Sequence, residues 1–387
     1  MIPPETAPTA DRRVEVPAPL LPYALLLAWC WLRDAILFAQ YLAASPGTLP
    51  PWASDALAGL ATLALAWGAR KFLRPRFAAR DLLPAAVMFL PVLLLAVART
   101  PIPDSNFDTY AYHLYAQQFN FSDAARGFLS AGKNTFLFPL ADRMFLPVRA
   151  LLGYRAGTVL NVLMLGVIVL QVVQLLRDWL TREGVQPSGW LLAAGAAAAV
   201  GTEYALINVG TYLVDLLPVP LMLEALRLAL DDGDNPRDVP YLAALSGFCL
   251  ALKLTGVVFL APLVAVFLLR RWRCLCVGNV AAGLILFCLP AAIYALFAWR
   301  ETGNPVFWMF NEVFRSDFFL TINFRDTRWG PRGWIEKLTW PVVVLFHPER
   351  FSELARCTGR LAMLVPLGLA WAGAVWALRK TSPPVPR

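Results

Sequence analysis

Leu82-Leu83-Pro84-Ala85-Ala86-Val87-Met88-Phe89-Leu90-Pro91-Val92-Leu93-Leu94-Leu95-Ala96-Val97-Ala98 is the run whose reading decides the fold. It carries no charged or amide side chain, and about 20 mostly apolar residues suffice to cross roughly 30 Å of hydrocarbon. Its flanks are as informative as its interior. On one side lie Arg70, Lys71, Arg74, Arg76 and Arg80; on the other begins the polar segment at Pro103. Working outward, comparable runs recur at about 20–44, 55–69, 151–176, 190–207, 209–230, 241–252, 254–270, 277–299 and 360–378. The short pair 241–252 and 254–270 surrounds Lys253 and reads either as spans or as a broken helix or tight hairpin. Of 387 residues 58% are hydrophobic and 16% charged, against about 25% charged in soluble domains. The expected fold is an all-α polytopic membrane protein with about ten transmembrane segments and no soluble domain.

The formal net charge of +8 is no nucleic-acid signal, because Lys and Arg gather in short connections between apolar runs, where they set topology. Arg270, Arg271 and Arg273 follow the eighth run, and Arg379 and Lys380 the tenth. With these clusters and the 70–80 cluster all cytoplasmic, ten spans alternate consistently and both termini lie inside. The loops at about 100–150 and 300–359 then emerge on the outer face. They are the only long connections, and long structured loops tend to carry function. Fourteen Trp, many near run ends, fit an interfacial belt. The six Cys form no paired framework, and the first apolar run is too long for a signal peptide.

The first outer loop holds the densest polar chemistry. Phe107, Tyr110, Ala111, Leu114 and Gln118 recur at helical spacing, and Ser105 or Asn106 can cap the start. Asp108, Thr109, Tyr112, His113 and Gln117 fall on the opposite half. An interfacial amphipathic helix with its polar face in water explains this pattern without any site. Against that stands the composition: the chain has two His, and one lies here among acids and Tyr.

Asp108-x-x-x-Tyr112-His113-Leu114 resembles the D-x-x-x-Y-H-L signature of bacterial membrane glycosyltransferases of the GT-C superfamily. Phe138-Pro139-Leu140-Ala141-Asp142 is similar to that group's F/Y-P-x-x-E element, with Asp for Glu. Lys253-Leu254-Thr255-Gly256 resembles K-Y-T-G, with Leu for Tyr. Thr302-Gly303-Asn304-Pro305-Val306-Phe307 with Asn311 resembles T-G-N-P-x-F/Y…N, and Tyr212 to Asp215 matches a weaker Y-x-x-D element. Together these cover about 100–310.

The resemblance implies a GT-C-like helical bundle that transfers a sugar from a polyprenyl-phosphate donor to a lipid, glycan or protein acceptor. It would act on the outer face of a bacterial inner membrane. A partly desolvated carboxylate at a headgroup boundary suits general-base work, and Asp108 is the candidate base. Asp104 would position the acceptor, share a metal, or only cap the helix. His113 would hydrogen-bond the sugar or donor phosphate, with Tyr112, Asp142 and Asn304 beside the substrate. Lys253, a charge inside an apolar stretch, is a functional candidate by default and suits the donor phosphate. Asp215, charged inside a span by the same logic, either reaches the outer cavity as a substrate contact or pairs with Lys253 as the structural alternative. Arg315 and Arg325 are candidates for the donor headgroup. Arg33-Asp34, within the first span, reads as structural pairing. No ligand spacing demands a metal, and a divalent ion stays open. An O-antigen polymerase or ligase would place its Arg and His in the late loop. A flippase or transporter would show repeated halves, and none is visible.

Overall fold

A computed structural model describes residues 13–43, 49–126, 138–231, 233, 235–323 and 330–350. The tenth expected span, Arg379, Lys380 and Arg325 lie outside the described residues. Among the described residues four helices are long and apolar enough to cross a membrane: Leu20–Leu42, Ala79–Arg99, Val159–Arg182 and Val277–Thr302. On the second, Leu83, Leu90, Leu94 and Val97 stand exposed, an apolar stripe that only lipid or another apolar partner covers. Val159–Arg182 is instead mostly buried. Leu165, Val169 and Val173 on it are fully enclosed, and it packs on Leu82–Arg99, Gly189–Val200 and Val219–Leu230. These features make the chain a membrane-embedded, mostly helical protein.

The described elements correct several expected spans. The run 151–176 is two helices. Leu140–Ala156 is kinked at Gly153, which takes φ +81°, and Val159–Arg182 starts afresh after it. The run 190–207 is helical only over Gly189–Val200 and Glu203–Leu206. The run 209–230 is helical only over Val219–Leu230. Its first part, Val209 to Pro218, is irregular backbone among buried side chains. The all-helical expectation gains a small exception: Val14–Pro17 pairs in parallel with Leu73–Arg76.

The pair around Lys253 is a hairpin. Asp238–Leu252 and Val257–Arg270 are joined at one end by the short turn Leu254–Gly256. They are joined at the other by the buried ion pair of Arg271 with Asp238. Val219–Leu230 runs beside the returning helix in the same direction. Arg270 Nη1 donates to Ala229 O at 3.2 Å where both helices end, and Lys253 pairs with Asp215 where both begin. At about 1.5 Å per residue, the 12 residues of Val219–Leu230 and the 15 of Asp238–Leu252 reach roughly 18 and 22 Å. That falls short of the roughly 30 Å hydrocarbon slab. Irregular backbone at such depth requires protein or a polar cavity around it.

The basic connections share one end of the bundle. Arg177 pairs with Asp81 and Arg76 with Asp178. Arg182 bonds Asp231 at 3.0 Å, and Arg271 reaches the same carboxylate at 3.1 Å. The Arg237 guanidinium lies 5.2 Å from the Phe72 ring centre. The 70–81 and 270–274 segments are thus brought together, as their common charge leads one to expect. The chain divides into two compact units, Met1–Asn323 and Phe324–Arg387. In the second, the helix Trp334–Phe346 is followed by Arg350, which bonds Glu336 at 2.7 Å.

Candidate functional site

The site is built on the segment 104–119. Thr109–His113 forms a π turn that continues as the α turn Leu114–Gln117, and π turns inside helices gather at functional positions. Phe107, Tyr110, Ala111 and Gln118 are exposed, whereas Thr109, His113 and Gln117 are buried and Asp108 and Tyr112 half-buried. The polar half therefore faces the protein and the apolar half faces outward, the reverse of a surface helix in water. This arrangement departs from a helix whose polar face simply meets solvent.

Asp104 anchors the start of the segment. Its Oδ2 accepts from Thr109 Oγ1 at 2.6 Å and from Tyr212 N at 2.8 Å, and its Oδ1 accepts from Asn106 N at 2.9 Å. A carboxylate so occupied organises the turn, in line with the capping alternative for Asp104. Its carbonyl also accepts from Tyr110 Oη at 2.6 Å and Tyr154 Oη at 3.2 Å.

The adjacent residues Asp142 and Arg143, at the head of Leu140–Ala156, clamp the same segment from the other side. Asp142 Oδ1 lies 2.6 Å from His113 Nδ1, with both side chains buried. Arg143 donates to Phe119 O at 2.5 Å and Gln117 O at 3.4 Å, carbonyls left open where the helix ends. Its Nε and Nη2 grip Asp34 Oδ1 at 2.9 and 2.8 Å, and Tyr294 Oη donates to Asp34 Oδ2 at 2.8 Å. Asp142, expected beside the substrate, is thus the partner of His113. Arg33 and Asp34 are paired, but apart: Arg33 binds Asp55 at 2.5 Å.

Four chain segments meet around these groups. Asn161, wholly buried, donates through Nδ2 to the carbonyls of Asn208, Thr211 and Leu213 at 3.1, 3.0 and 2.8 Å. That fixes the irregular backbone before Asp215. The ion pair of Lys253 and Asp215 is about one-third and one-half exposed respectively, so the structural alternative for Lys253 holds in this state while leaving the pair accessible. Burial opposes protonation of His113, but Asp142, then Asp108 and Asp215, outweigh it and hold the imidazole above its ordinary range. Burial, then the Asp108 carboxylate, push the Tyr112 phenol up. Lys253 acts on Asp142. Asp108, Tyr112, His113, Asp142, Asp215 and Lys253 consequently form one electrostatic cluster.

The late loop is organised by amides. Asn304, fully buried, donates to Met309 O at 2.8 Å and accepts from Val306 N at 3.0 Å. Asn311 Nδ2 reaches Ser316 O, Phe319 O and Leu320 O at 2.9, 3.0 and 3.1 Å. The Asn304 amide, expected beside the substrate, holds the loop itself. Arg315 is exposed at φ +54°.

Sequence reasoning missed Arg143 and Asn161. Each left a signal, Arg143 as a charge directly after the Asp142 motif and Asn161 as an amide inside an apolar run. Among the described residues no group of three or more His, Cys, Asp or Glu is placed to hold a metal ion. Compared with known proteins, the chain matches no family model, no curated protein and no solved structure.

Proposed function

We propose that the chain is a membrane glycosyltransferase that moves a sugar from a polyprenyl-phosphate donor to an acceptor hydroxyl. It acts at the membrane face opposite its basic loops, in a bacterial inner membrane crossed about ten times with both termini cytoplasmic. The observation that carries this reading is the convergence of Asp108, the His113–Asp142 pair and the Lys253–Asp215 pair from separate segments at the start of two short helices, Val219–Leu230 and Val257–Arg270. Among the described residues the Lys253 ammonium is paired with a half-exposed carboxylate, and a pair open to water contributes about 0–1 kcal/mol, which suits exchange for a phosphate. The N-terminal ends of Val219–Leu230 and Val257–Arg270 add favourable potential for an anion.

In the reaction, Asp108 accepts the acceptor hydroxyl proton as that oxygen bonds to the anomeric carbon. The bond from the anomeric carbon to the phosphate oxygen breaks, and its electron pair leaves on the polyprenyl phosphate. Lys253, released from Asp215, balances the added charge. Arg315 is a further candidate for the donor headgroup. The test is Asp108→Asn in proteoliposomes supplied with polyprenyl-phosphate sugars. The variant inserts and unfolds like the parent yet transfers no sugar. Transfer at the parent rate refutes the assignment, and retained translocation of the lipid-linked sugar without transfer points to a flippase.

A further inference from the structure

His113 is the one histidine within the clustered groups, and its Nδ1 is committed to a carboxylate on another helix. That pairing fixes the ring through one nitrogen and fits it for a task besides the sugar contact expected from the motif. Three observations define the task. The Nδ1–Oδ1 separation is 2.6 Å with both partners buried. Leu114 N bonds back to Thr109 O across the π turn, so His113 sits on the last residue of the widened turn. The Tyr112 ring lies 4.3 Å from the imidazole, centre to centre, and Tyr112 contacts Asp108. A widened turn loses regular α hydrogen bonding and persists when side-chain contacts fix it.

We infer that His113 and Asp142 are a positioning pair: sharing a proton between them, they lock the π turn and so aim Asp108 and Tyr112 into the site. This rests on the transferase reading for its consequence in catalysis, though not for its geometry. The titratable groups beside the imidazole are Asp108 and the neutral Tyr112 phenol from its own segment and Asp142 from Leu140–Ala156. Asp215, from the turn before Val219–Leu230, faces it too, and Lys253 acts through Asp142. Three carboxylates against one cation favour the protonated imidazole, in agreement with its raised pKa. The sign follows from linkage. A raised histidine supplies ordering that is complete below its unfolded value, near 6.5, and is lost as pH climbs through the folded value. Loss of that proton loosens the turn and gives transfer an alkaline limb that neither reacting group sets.

Because the chain holds only His113 and His347, and His347 is exposed, His347→Gln leaves a single imidazole to follow by NMR in nanodiscs. In that background His113 titrates above its ordinary value. Asp142→Asn lowers the titration by about one unit or more, Asp142→Glu restores it, and Asp108→Asn lowers it by a smaller amount. In transfer assays the alkaline limb moves to lower pH with Asp142→Asn and returns with Asp142→Glu, while KM changes little. The inference is overturned if His113 titrates at or below its ordinary value, if Asp108→Asn leaves its titration unmoved, or if Asp142→Asn keeps the parental limb. An absence of transfer by the parent protein with every donor would refute the transferase reading alone, since the titration arms stand without it.

Discussion

Arg143→Ala removes the residue that joins the first loop to the helix Leu20–Leu42, and its cost can be worked from the contacts. The carboxylate of Asp34 is 1% exposed and takes both Arg143 nitrogens within 3 Å. Without the guanidinium it keeps Tyr294 as a donor, while the nearby charge of Arg33 is already committed to Asp55. Breaking a buried pair from one side costs about 3–5 kcal/mol. The carbonyls of Gln117 and Phe119 lose their donor as well, at about 1–3 kcal/mol each if they find no water. These losses overlap, so a total of about 4–6 kcal/mol is expected. The measurement is denaturant unfolding in detergent, followed by tryptophan fluorescence. The control is Asp34→Asn with Arg143→Met, which withdraws both charges and should recover at least half of the loss. A single variant within about 1 kcal/mol of the parent, or a double variant no better than the single, would show that the pair does not hold the loop.

Other expectations are briefer. Lys253→Met should weaken binding of polyprenyl phosphate in nanodiscs at least tenfold. Asp215→Asn should strengthen it several-fold by removing the resident counter-ion, and equal affinities in all three proteins would contradict the exchange. Asn161→Ala strips a donor from three buried carbonyls and should cost about 1–3 kcal/mol of stability. Protease sensitivity at residues 201–215 should rise in parallel. Gly247→Ala places a Cβ about 2.3 Å from Phe287 O, forcing the hairpin off Val277–Thr302. The expected penalty is about 1–3 kcal/mol in the same unfolding assay, whereas Gly59→Ala, which meets nothing within 4 Å, should be silent.

The sequence carried the membrane class, the gathering of Arg-rich connections and the polarity of the 107–118 segment, because each follows from local composition. It carried much less of helix length. A run such as 209–230 is apolar throughout, and apolarity reports burial or lipid contact without distinguishing a helix from irregular backbone held by Asn161. Long-range pairing was illegible for the same reason. Nothing near Asp34 in the chain announces Arg143, and the neighbouring Arg33 offered a false partner. At the site, Lys253 and Asp215 stood out as charges inside apolar runs and His113 as a rare residue type, while Asp108, Tyr112 and Asp142 were singled out through the motif resemblance. Their mutual assignments were not. Asp104 and Asn304 turned out to hold backbone, since a short polar side chain beside a turn serves its own loop readily.

The parallel pairing of Val14–Pro17 with Leu73–Arg76 bears on biogenesis. The first strand is synthesised early but waits for its mate until Leu20–Leu42 and Pro51–Ala69 have emerged. The carbonyl of Glu15 then receives Arg227 at 2.8 Å, from a helix made far later. The seam therefore closes in two stages separated by the synthesis of residues 77–227, and it staples the helical pair that follows the strand to the short helix leading from Asp215. Deleting residues 14–17 should leave insertion intact while allowing late helices to settle in a wrong register, a defect that pulse-chase protease protection would register as slow maturation.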